Sequence, residues 1–195
     1  EITLGKEVIR TPADDAIGYI KKTMSGDVMN IKKIRVDKEG AGMGWGAVYA
    51  QYLESMDQIS GQGNGLSVSR QLYKGDEALN ESAPLKVGDK ITVRLTIKAD
   101  RDMDFVQIKD DRAACMEPLQ AVSGFRWSNG LGYYQATKDA STQFFIDQMR
   151  KGTYVIEYQV YVNRTGEYQA GIATVQSAYA PEFGGHTGGY RVMVE

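Results

Sequence analysis

The chain has 195 residues, with 23 basic and 25 acidic side chains and a formal net charge of −2. A nearly neutral chain lacks the positive surface that binds phosphate backbones, so we expect no nucleic-acid partner. One cysteine and one histidine exclude an intrachain disulfide and most zinc sites, and no apolar run is long enough for a membrane span. The 22 glycines, 12 tyrosines and only 4 prolines favour a turn-rich β protein.

The first third of the chain carries weak strand patterns. Short apolar alternations predict strands at Gly18–Thr23 and Ile31–Val36. Trp45–Glu54 fits either a strand or a helix. We favour the strand, because aromatic and β-branched residues are dense there and Gly46 weakens a helix. Ser60–Gly65 has three glycines and no apolar side chain, so we interpret it as a linker.

The remainder of the chain alternates with a period of two. In Lys90–Ala99 and Gly152–Val162 an apolar side chain occupies every second position, which is typical of a half-buried strand. The same pattern, over fewer residues, predicts strands at Leu66–Tyr73, Phe105–Lys109, Thr142–Asp147, Ile172–Ser177 and Tyr190–Val194. Glycine-containing turns separate the strands, and no convincing helix lies between them. The pattern therefore predicts an all-β fold, an antiparallel β-sandwich.

A glycine-rich segment, residues 42–47, fits the Gly-x-Gly-x-x-Gly/Ala pattern of dinucleotide-binding turns. Such a turn opens a helix and allows close backbone approach to a pyrophosphate. Trp45 is bulky where close packing is needed, the preceding strand ends in charged residues, and the chain downstream is all β. We therefore interpret the segment as a turn between strands and expect no cofactor.

Three carboxylates at alternate positions, Asp100, Asp102 and Asp104, are similar to the first half of an EF-hand loop. Phe105 stands where that loop requires glycine, and Asp111 stands where it requires glutamate. The segment is either a weak cation site or a charged turn that leads into the next strand.

Two residues could serve a nucleophilic mechanism, Cys115 and His186. Cys115 opens a segment that resembles the Cys-x-Glu-Gln thioester motif, but Pro118 has no side-chain amide to form that bond. Cys115 is expected to be a small buried residue, and His186 an exposed side chain in a glycine-rich loop. Because no Gly-x-Ser-x-Gly elbow is present, we expect that the chain is not an enzyme and has no catalytic residue.

Four aromatic residues lie close together in the sequence: Phe125, Trp127, Tyr133 and Tyr134. They could form a stacking platform for sugars. They could equally pack in the core or pair across strands, as a sandwich requires.

Taken together, several segments resemble the C-terminal region of bacterial alpha-2-macroglobulin-like proteins of the Bacteroidetes type. One of them is Trp45–Ser60, with the sequence WGAVYAQYLESMDQIS. The others are Leu66–Tyr73, Leu85–Ala113, Ser123–Val162 and Ala178–Val192. Cys115 departs from the pattern, which has a small residue without a thiol at that place.

The resemblance implies two regions. Residues 60–195 would form the C-terminal macroglobulin-type, receptor-binding-like β-sandwich, and residues 1–59 would be strands of a CUB-like region. Whole proteins of this family are thought to trap proteases, as endopeptidase inhibitors of the cell envelope, in the periplasm or as outer-membrane lipoproteins. The chain would then be a non-catalytic structural module. Its partners would be domains of the same polypeptide upstream of Glu1 and, through the full-length protein, proteases.

Two segments are predicted to lie in or near loops that contact those other domains. They are Tyr133–Asp139, which begins with two tyrosines, and Glu182–Gly189, which is rich in glycine and contains Phe183. The alternative function is an Ig-like surface module that recognises a glycan or a peptide.

Overall fold

The computed structural model describes residues 1–4, 6–10, 18–26, 31–49, 51–80 and 83–195. These residues contain seventeen β-strands and one 3₁₀ turn, and no α-helix occurs among them. They divide into two compact units, Glu1–Gln51 and Tyr52–Glu195. The all-β fold class predicted from the sequence is confirmed.

The smaller unit contains one antiparallel three-stranded sheet. Strand β1 (Ile2–Leu4) lies between β2 (Glu7–Ile9) and β3 (Ile34–Val36). The strand predicted at Ile31–Val36 is thus confirmed over its second half.

Two other strand predictions in this part of the chain are wrong. Residues 18–23 contain no strand, and neither do residues 45–49 and 51–54, while residue 50 lies outside the described residues. Trp45 and Tyr49 are 88% and 93% exposed. A strand needs a neighbour for its backbone hydrogen bonds, and the apolar alternation alone does not supply one. Among residues 47–49 and 51–55 no α-helix follows the glycines of residues 42–46, whereas a dinucleotide-binding turn would require one.

The first element of the larger unit is the 3₁₀ turn Met56–Gln58, and fourteen strands follow it in the described residues. These are β4 (Gln62–Asn64), β5 (Leu66–Lys74), β6 (Glu77–Ala78), β7 (Lys90–Ala99), β8 (Met103–Asp111), β9 (Met116–Pro118), β10 (Gly124–Ser128), β11 (Leu131–Thr137), β12 (Ser141–Met149), β13 (Gly152–Val162), β14 (Gly166–Ala170), β15 (Ala173–Ser177), β16 (Gly184–His186) and β17 (Tyr190–Val194). Strands β7, β13 and β17 begin and end at the residues that the alternation predicts.

Twelve of these strands form one antiparallel hydrogen-bonded sheet, eleven of them in a continuous path, and the sheet folds into two layers. One layer has the order β10-β11-β12-β8-β15 and the other β5-β7-β13-β9, with β6 beside β5. Strands β16 and β4 connect the layers at one edge, and β14 pairs with β17 in a separate ladder. The layers face each other across the core, where the rings of Phe144 on β12 and Tyr158 on β13 are 5.9 Å apart.

The edge that connects the layers corrects the linker prediction for Ser60–Gly65. Strand β4 pairs there with both β16 and β5. A Cβ atom on Gly185 would lie 2.7 Å from the carbonyl oxygens of Gln62 and Leu66, and one on Gly63 would lie 2.6 Å from that of Leu66. Glycine is needed at both positions because three backbones approach too closely for a side chain. The glycines form a tight corner of the fold.

The 3₁₀ turn also belongs to the larger unit. Asp57 forms an ion pair with Arg191 of β17, with Nε 2.7 Å from Oδ2, and Gly189 donates a backbone hydrogen bond of 3.0 Å to Ile59. The chain from residue 56 onward is therefore fastened to the sandwich.

The two segments predicted to lie in or near contact loops each combine strand and loop residues, and their contact with other domains stays a prediction. Most of Tyr133–Asp139 lies in strand β11, and Glu182–Gly189 contains strand β16.

Candidate functional site

Aromatic side chains line the outer surface of one layer of the sandwich. The antiparallel register places Phe125 of β10 opposite Tyr134 of β11, and Tyr134 opposite Phe145 of β12. The rings of Phe125 and Tyr134 contact edge to face, with centroids 5.1 Å apart. Phe125 and Trp127 are 82% and 77% exposed. Together with Phe105 of β8, these residues form a surface that we name the aromatic face: Phe105, Phe125, Trp127, Tyr134 and Phe145.

Gly132 makes room for the indole of Trp127. The two residues are cross-strand partners, and a Cβ atom on Gly132 would lie 2.9 Å from both Cε3 and Cζ3 of the indole. The ring therefore lies against the backbone of β11, while most of its surface remains exposed. The absent side chain at Gly132 turns Trp127 into a platform that is open to solvent.

Phe105 reaches the surface through an unusual backbone conformation. Its φ is +52°, in the left-handed region that residues other than glycine rarely adopt. Met103 and Val106 are buried, so the alternation is interrupted and Asp104 and Phe105 both face solvent. The exposed ring contacts Tyr179 edge to face, with centroids 5.1 Å apart. Strain of this kind concentrates at functional sites, which favours a function for this surface.

An open cleft of about 1120 Å³ runs along the aromatic face and around the end of the sandwich. Two carboxylates, Asp104 and Asp147, and two guanidinium groups, Arg126 and Arg150, are among its lining residues. Neither carboxylate forms an ion pair with another described residue, whereas Arg126 donates a 2.9 Å hydrogen bond to Gln135. Arg126 lies between Phe125 and Trp127 in β10 and therefore faces the other side of the strand, toward the buried Tyr133 and Gln135. The cleft thus combines apolar ring surfaces with two carboxylates and the guanidinium group of Arg150.

A second polar cluster lies between the layers and is not accessible. Arg70 of β5 places Nη1 2.5 Å from Oδ1 of Asp110 on β8, and Tyr158 of β13 donates a 2.7 Å hydrogen bond to Oδ2. Arg70 also donates to the carbonyl of Gly171 and lies over the ring of Tyr190. We name Arg70, Asp110 and Tyr158 the interlayer triad.

Burial dominates the pKa values of the two acidic members of the interlayer triad. It raises the pKa of Asp110, against the opposing effect of the Arg70 charge, and raises the pKa of Tyr158, to which the Asp110 charge also contributes. The side chains of Arg70 and Asp110 are 5% and 1% exposed. This cluster joins strands of both layers and has no access for a substrate.

The three aspartates that could hold a cation do not converge. Asp100 forms a 2.8 Å ion pair with Arg101, whose hydrogen bond lowers the pKa of Asp100, and Asp102 accepts a 2.7 Å hydrogen bond from the backbone N–H of Lys151. Asp104 points into the cleft. In the described parts of the chain, no three acidic, histidine or cysteine side chains come together as metal ligands do. The geometry favours the charged turn over the cation site.

Cys115 and His186 lie in different settings. The burial predicted for Cys115 is confirmed, and burial raises the pKa of its thiol, which makes the nucleophilic thiolate less accessible. The loop prediction for His186 is wrong, because this half-buried residue lies in strand β16, with Nδ1 3.1 Å from the carbonyl oxygen of Thr187.

The aromatic residues singled out from the sequence divide between core and surface. Tyr133 is buried, 5.7 Å from the ring of Phe144, and burial raises its pKa. Phe125, Trp127 and Tyr134 lie on the aromatic face, as the platform interpretation requires. Phe145 was not singled out, although its position next to Phe144 in a strand already places the two rings on opposite faces.

The fold and its surfaces define an antiparallel β-sandwich of the macroglobulin, Ig-like kind. Residues 65–182, more than half of the chain, match the family model of the bacterial alpha-2-macroglobulin MG10 domain. The chain belongs to this family and is a structural module of an alpha-2-macroglobulin-like protein.

Solved structures agree with this assignment. The chain is similar to Salmonella alpha-2-macroglobulin reacted with methylamine, at a TM-score of 0.58 and 19% identity over 70% of this chain and 10% of that one. It is also similar to native Escherichia coli alpha-2-macroglobulin from domain MG7 to the C-terminus, at 0.58 and 16% over 69% and 24%. The trypsin-activated Escherichia coli protein gives 0.59 and 15% over 70% and 11%. At these identities the structures show the shared fold.

One curated relative is similar in sequence. It is the circularly permutated Ras protein 2 of Dictyostelium discoideum, 28% identical in an alignment of 138 residues that covers 67% of this chain. The match covers only 4% of that protein's length. The described residues contain no helix with the length and apolar character needed to cross a membrane.

Proposed function

We propose that the chain is a non-catalytic supporting module of a bacterial cell-envelope protein that traps proteases. Its match to the MG10 domain carries this proposal. The Escherichia coli structure in the trypsin-activated state supports a protease as the partner of that relative. In this protein the contact with a protease would be made by the full-length polypeptide, in the periplasm or as an outer-membrane lipoprotein of the Bacteroidetes type.

The interlayer triad suits a supporting role. It joins β5 and β13 of one layer to β8 of the other through charge-assisted hydrogen bonds, which restrict sliding of the layers. A sandwich stiffened in this way transmits movement as one body, while its neighbours in the polypeptide shift around it.

The division of the chain stays a prediction, with residues 1–59 as part of a CUB-like region and residues 60–195 as the module. The compact unit that starts at Tyr52 and the ion pair of Asp57 with Arg191 favour a module that begins before residue 56.

Protease enclosure by the full-length polypeptide tests the proposal. A trapped trypsin should still cleave a small peptide substrate but lose activity on casein, because only the small substrate reaches it. Asp110→Ala, which weakens the sandwich from within, should reduce this selective loss, and Glu157→Ala, on an exposed ion pair, should not. Equal trypsin activity on both substrates with the wild-type polypeptide would refute protease trapping.

Catalysis and location need separate measurements. The isolated chain should hydrolyse no peptide or ester substrate, and His186→Ala should leave any background rate unchanged. Fractionation of cells that make the full-length polypeptide should place it in the envelope. Recovery in the cytosolic fraction would contradict the envelope assignment.

A further inference from the structure

The aromatic face carries features that a supporting role does not explain. Aromatic rings from three neighbouring strands, β10, β11 and β12, lie on this surface. Gly132 leaves space for the indole of Trp127, and a left-handed backbone conformation at Phe105 turns that ring outward on the same surface. Each of them exposes apolar area that folding alone would bury. A surface built in this way fits a ligand.

The position of the charged groups distinguishes a protein partner from a small polar ligand. Asp147 follows Phe145 by two residues in β12, so both side chains face the same side of the strand. The pairs of its two neighbours with Val106 and Asp104 place Asp147 beside Phe105 of β8, within the aromatic face. Protein interfaces are depleted of charged residues at their centre, because a docked apolar surface would desolvate them. An unpaired carboxylate within this face suits a ligand that brings its own hydrogen-bond donors.

The hydrogen-bonding character of the charged groups further restricts the class of ligand. Asp104 and Asp147 only accept hydrogen bonds, and the guanidinium group of Arg150 in the same cleft only donates them. A neutral ligand rich in hydroxyl groups satisfies both kinds, since each hydroxyl donates and accepts. The apolar C–H surface of a sugar ring fits the open side of the Trp127 indole in the same pose.

We propose that the aromatic face binds a neutral oligosaccharide of hexose units. Trp127 is the stacking platform, Phe105 and Phe125 flank it, and Asp104 and Asp147 accept hydrogen bonds from sugar hydroxyls. The face extends across four strands, about 14 Å from β10 to β8, which accommodates a short oligosaccharide. This binding does not require protease trapping, so either function can fail without the other.

Titration of the whole chain with cellohexaose, maltohexaose and galactohexaose tests the proposal. Backbone amide NMR signals of β10, β11 and β12 should shift with at least one of the three sugars, in a saturable way, at concentrations up to about 10 mM. Trp45→Phe leaves Trp127 as the single tryptophan of the chain, and its fluorescence should change over the same range. If none of the three sugars moves these signals, the proposal is wrong.

Variants locate the site. Trp127→Ala should weaken binding at least about tenfold, and Asp147→Asn by several-fold. Gly132→Ala should also weaken it, because the new Cβ displaces the indole. Gly124→Ala, on the same hairpin but with nothing within 4 Å of the new Cβ, is the matched control and should bind as the wild type.

Two further results would overturn the proposal. One is sugar binding that survives Trp127→Ala in a chain whose melting curve shows a folded protein. The other is that the sugars leave the face untouched, while amides of β10–β12 become protected from hydrogen exchange only within the full-length polypeptide. The second result would assign the face to a contact with another domain.

Discussion

The interlayer triad and the aromatic face lie on opposite sides of the same layer. Their residue types are the reverse of the usual pattern, in which charged groups face solvent and aromatic rings are buried. A buried arginine and aspartate occupy the space between the layers, whereas exposed phenylalanine and tryptophan rings occupy the solvent side. The triad is fully hydrogen bonded and closed, which fits a structural role. The aromatic face is unpaired and open, which fits recognition. Burial and hydrogen bonding together therefore distinguish a structural cluster from a binding surface.

Phe144 and Phe145 give the strongest test of this contrast, because they are neighbours on β12 that face opposite sides. Phe144 is fully buried and Phe145 is 38% exposed. We expect Phe144→Ala to lower the free energy of unfolding by about 3–5 kcal/mol, through loss of burial and a cavity. Phe145→Ala should cost less than about 1 kcal/mol. Urea denaturation measures both, and equal losses would contradict the assignment of the two faces.

Asp110 tests the interlayer triad against an ion pair of the same length. Arg70–Asp110 and Arg94–Glu157 both measure 2.5 Å, but only the first is buried. Asp110→Ala leaves the Arg70 charge uncompensated, although the Gly171 carbonyl and the Tyr190 ring remain, so we expect a loss of about 3 kcal/mol. Glu157→Ala should change stability little. Similar unfolding midpoints for the two variants would show that burial does not matter here.

Tyr158 isolates one hydrogen bond of the interlayer triad. Tyr158→Phe removes only the hydroxyl that donates to Asp110, and we expect a loss of about 1–2 kcal/mol because a buried carboxylate oxygen loses its donor. Tyr161→Phe, three residues along the same strand and 40% exposed, is the control and should be nearly neutral. Thermal unfolding compares the two, and a neutral Tyr158→Phe would mean that Arg70 alone satisfies Asp110.

Sequence periodicity predicts the long strands well and their partners poorly. Strands β7 and β13 are readable because an apolar side chain must enter the core at every second position. Arg70 also falls at an inward position of its strand, but no feature of the neighbouring sequence indicates that its ion-pair partner is Asp110, forty residues away. A pairing of this kind depends on the register of distant strands, which the pattern of one strand does not contain.

The misread segments have different physical causes. Glycines carry no side-chain pattern, so β4 and β16 resemble a linker although the close approach of three backbones requires them. Trp45–Glu54 shows the opposite case, an apolar pattern without a neighbouring strand in the described residues. The aromatic face was predicted in part, from Phe125, Trp127 and Tyr134. The exposure of Phe105 could not be predicted, because it depends on a backbone angle that the alternation does not encode.

The ion pair of Asp57 with Arg191 is less buried than that of Arg70 with Asp110. We expect its loss to lower the stability less than the loss of Asp110 or of the Tyr158 hydroxyl. The hydrogen bond from Arg191 lowers the pKa of Asp57 below its ordinary value of 3.8. The folded state then holds this proton less tightly than the unfolded state does. The stabilisation is therefore complete above the ordinary pKa and is lost as the pH falls through the lowered one.

Thermal unfolding between neutral and acidic pH measures this contribution of Asp57. Asp57→Asn should melt slightly below the wild type at neutral pH, and the difference should disappear below the lowered pKa, where the wild-type carboxyl is also uncharged. Arg191→Ala should reproduce the same convergence, because it removes the group that lowers the pKa. A difference between Asp57→Asn and wild type that stays constant at every pH would show that the 3₁₀ turn is held by packing and by the Gly189 hydrogen bond to Ile59, not by the ion pair.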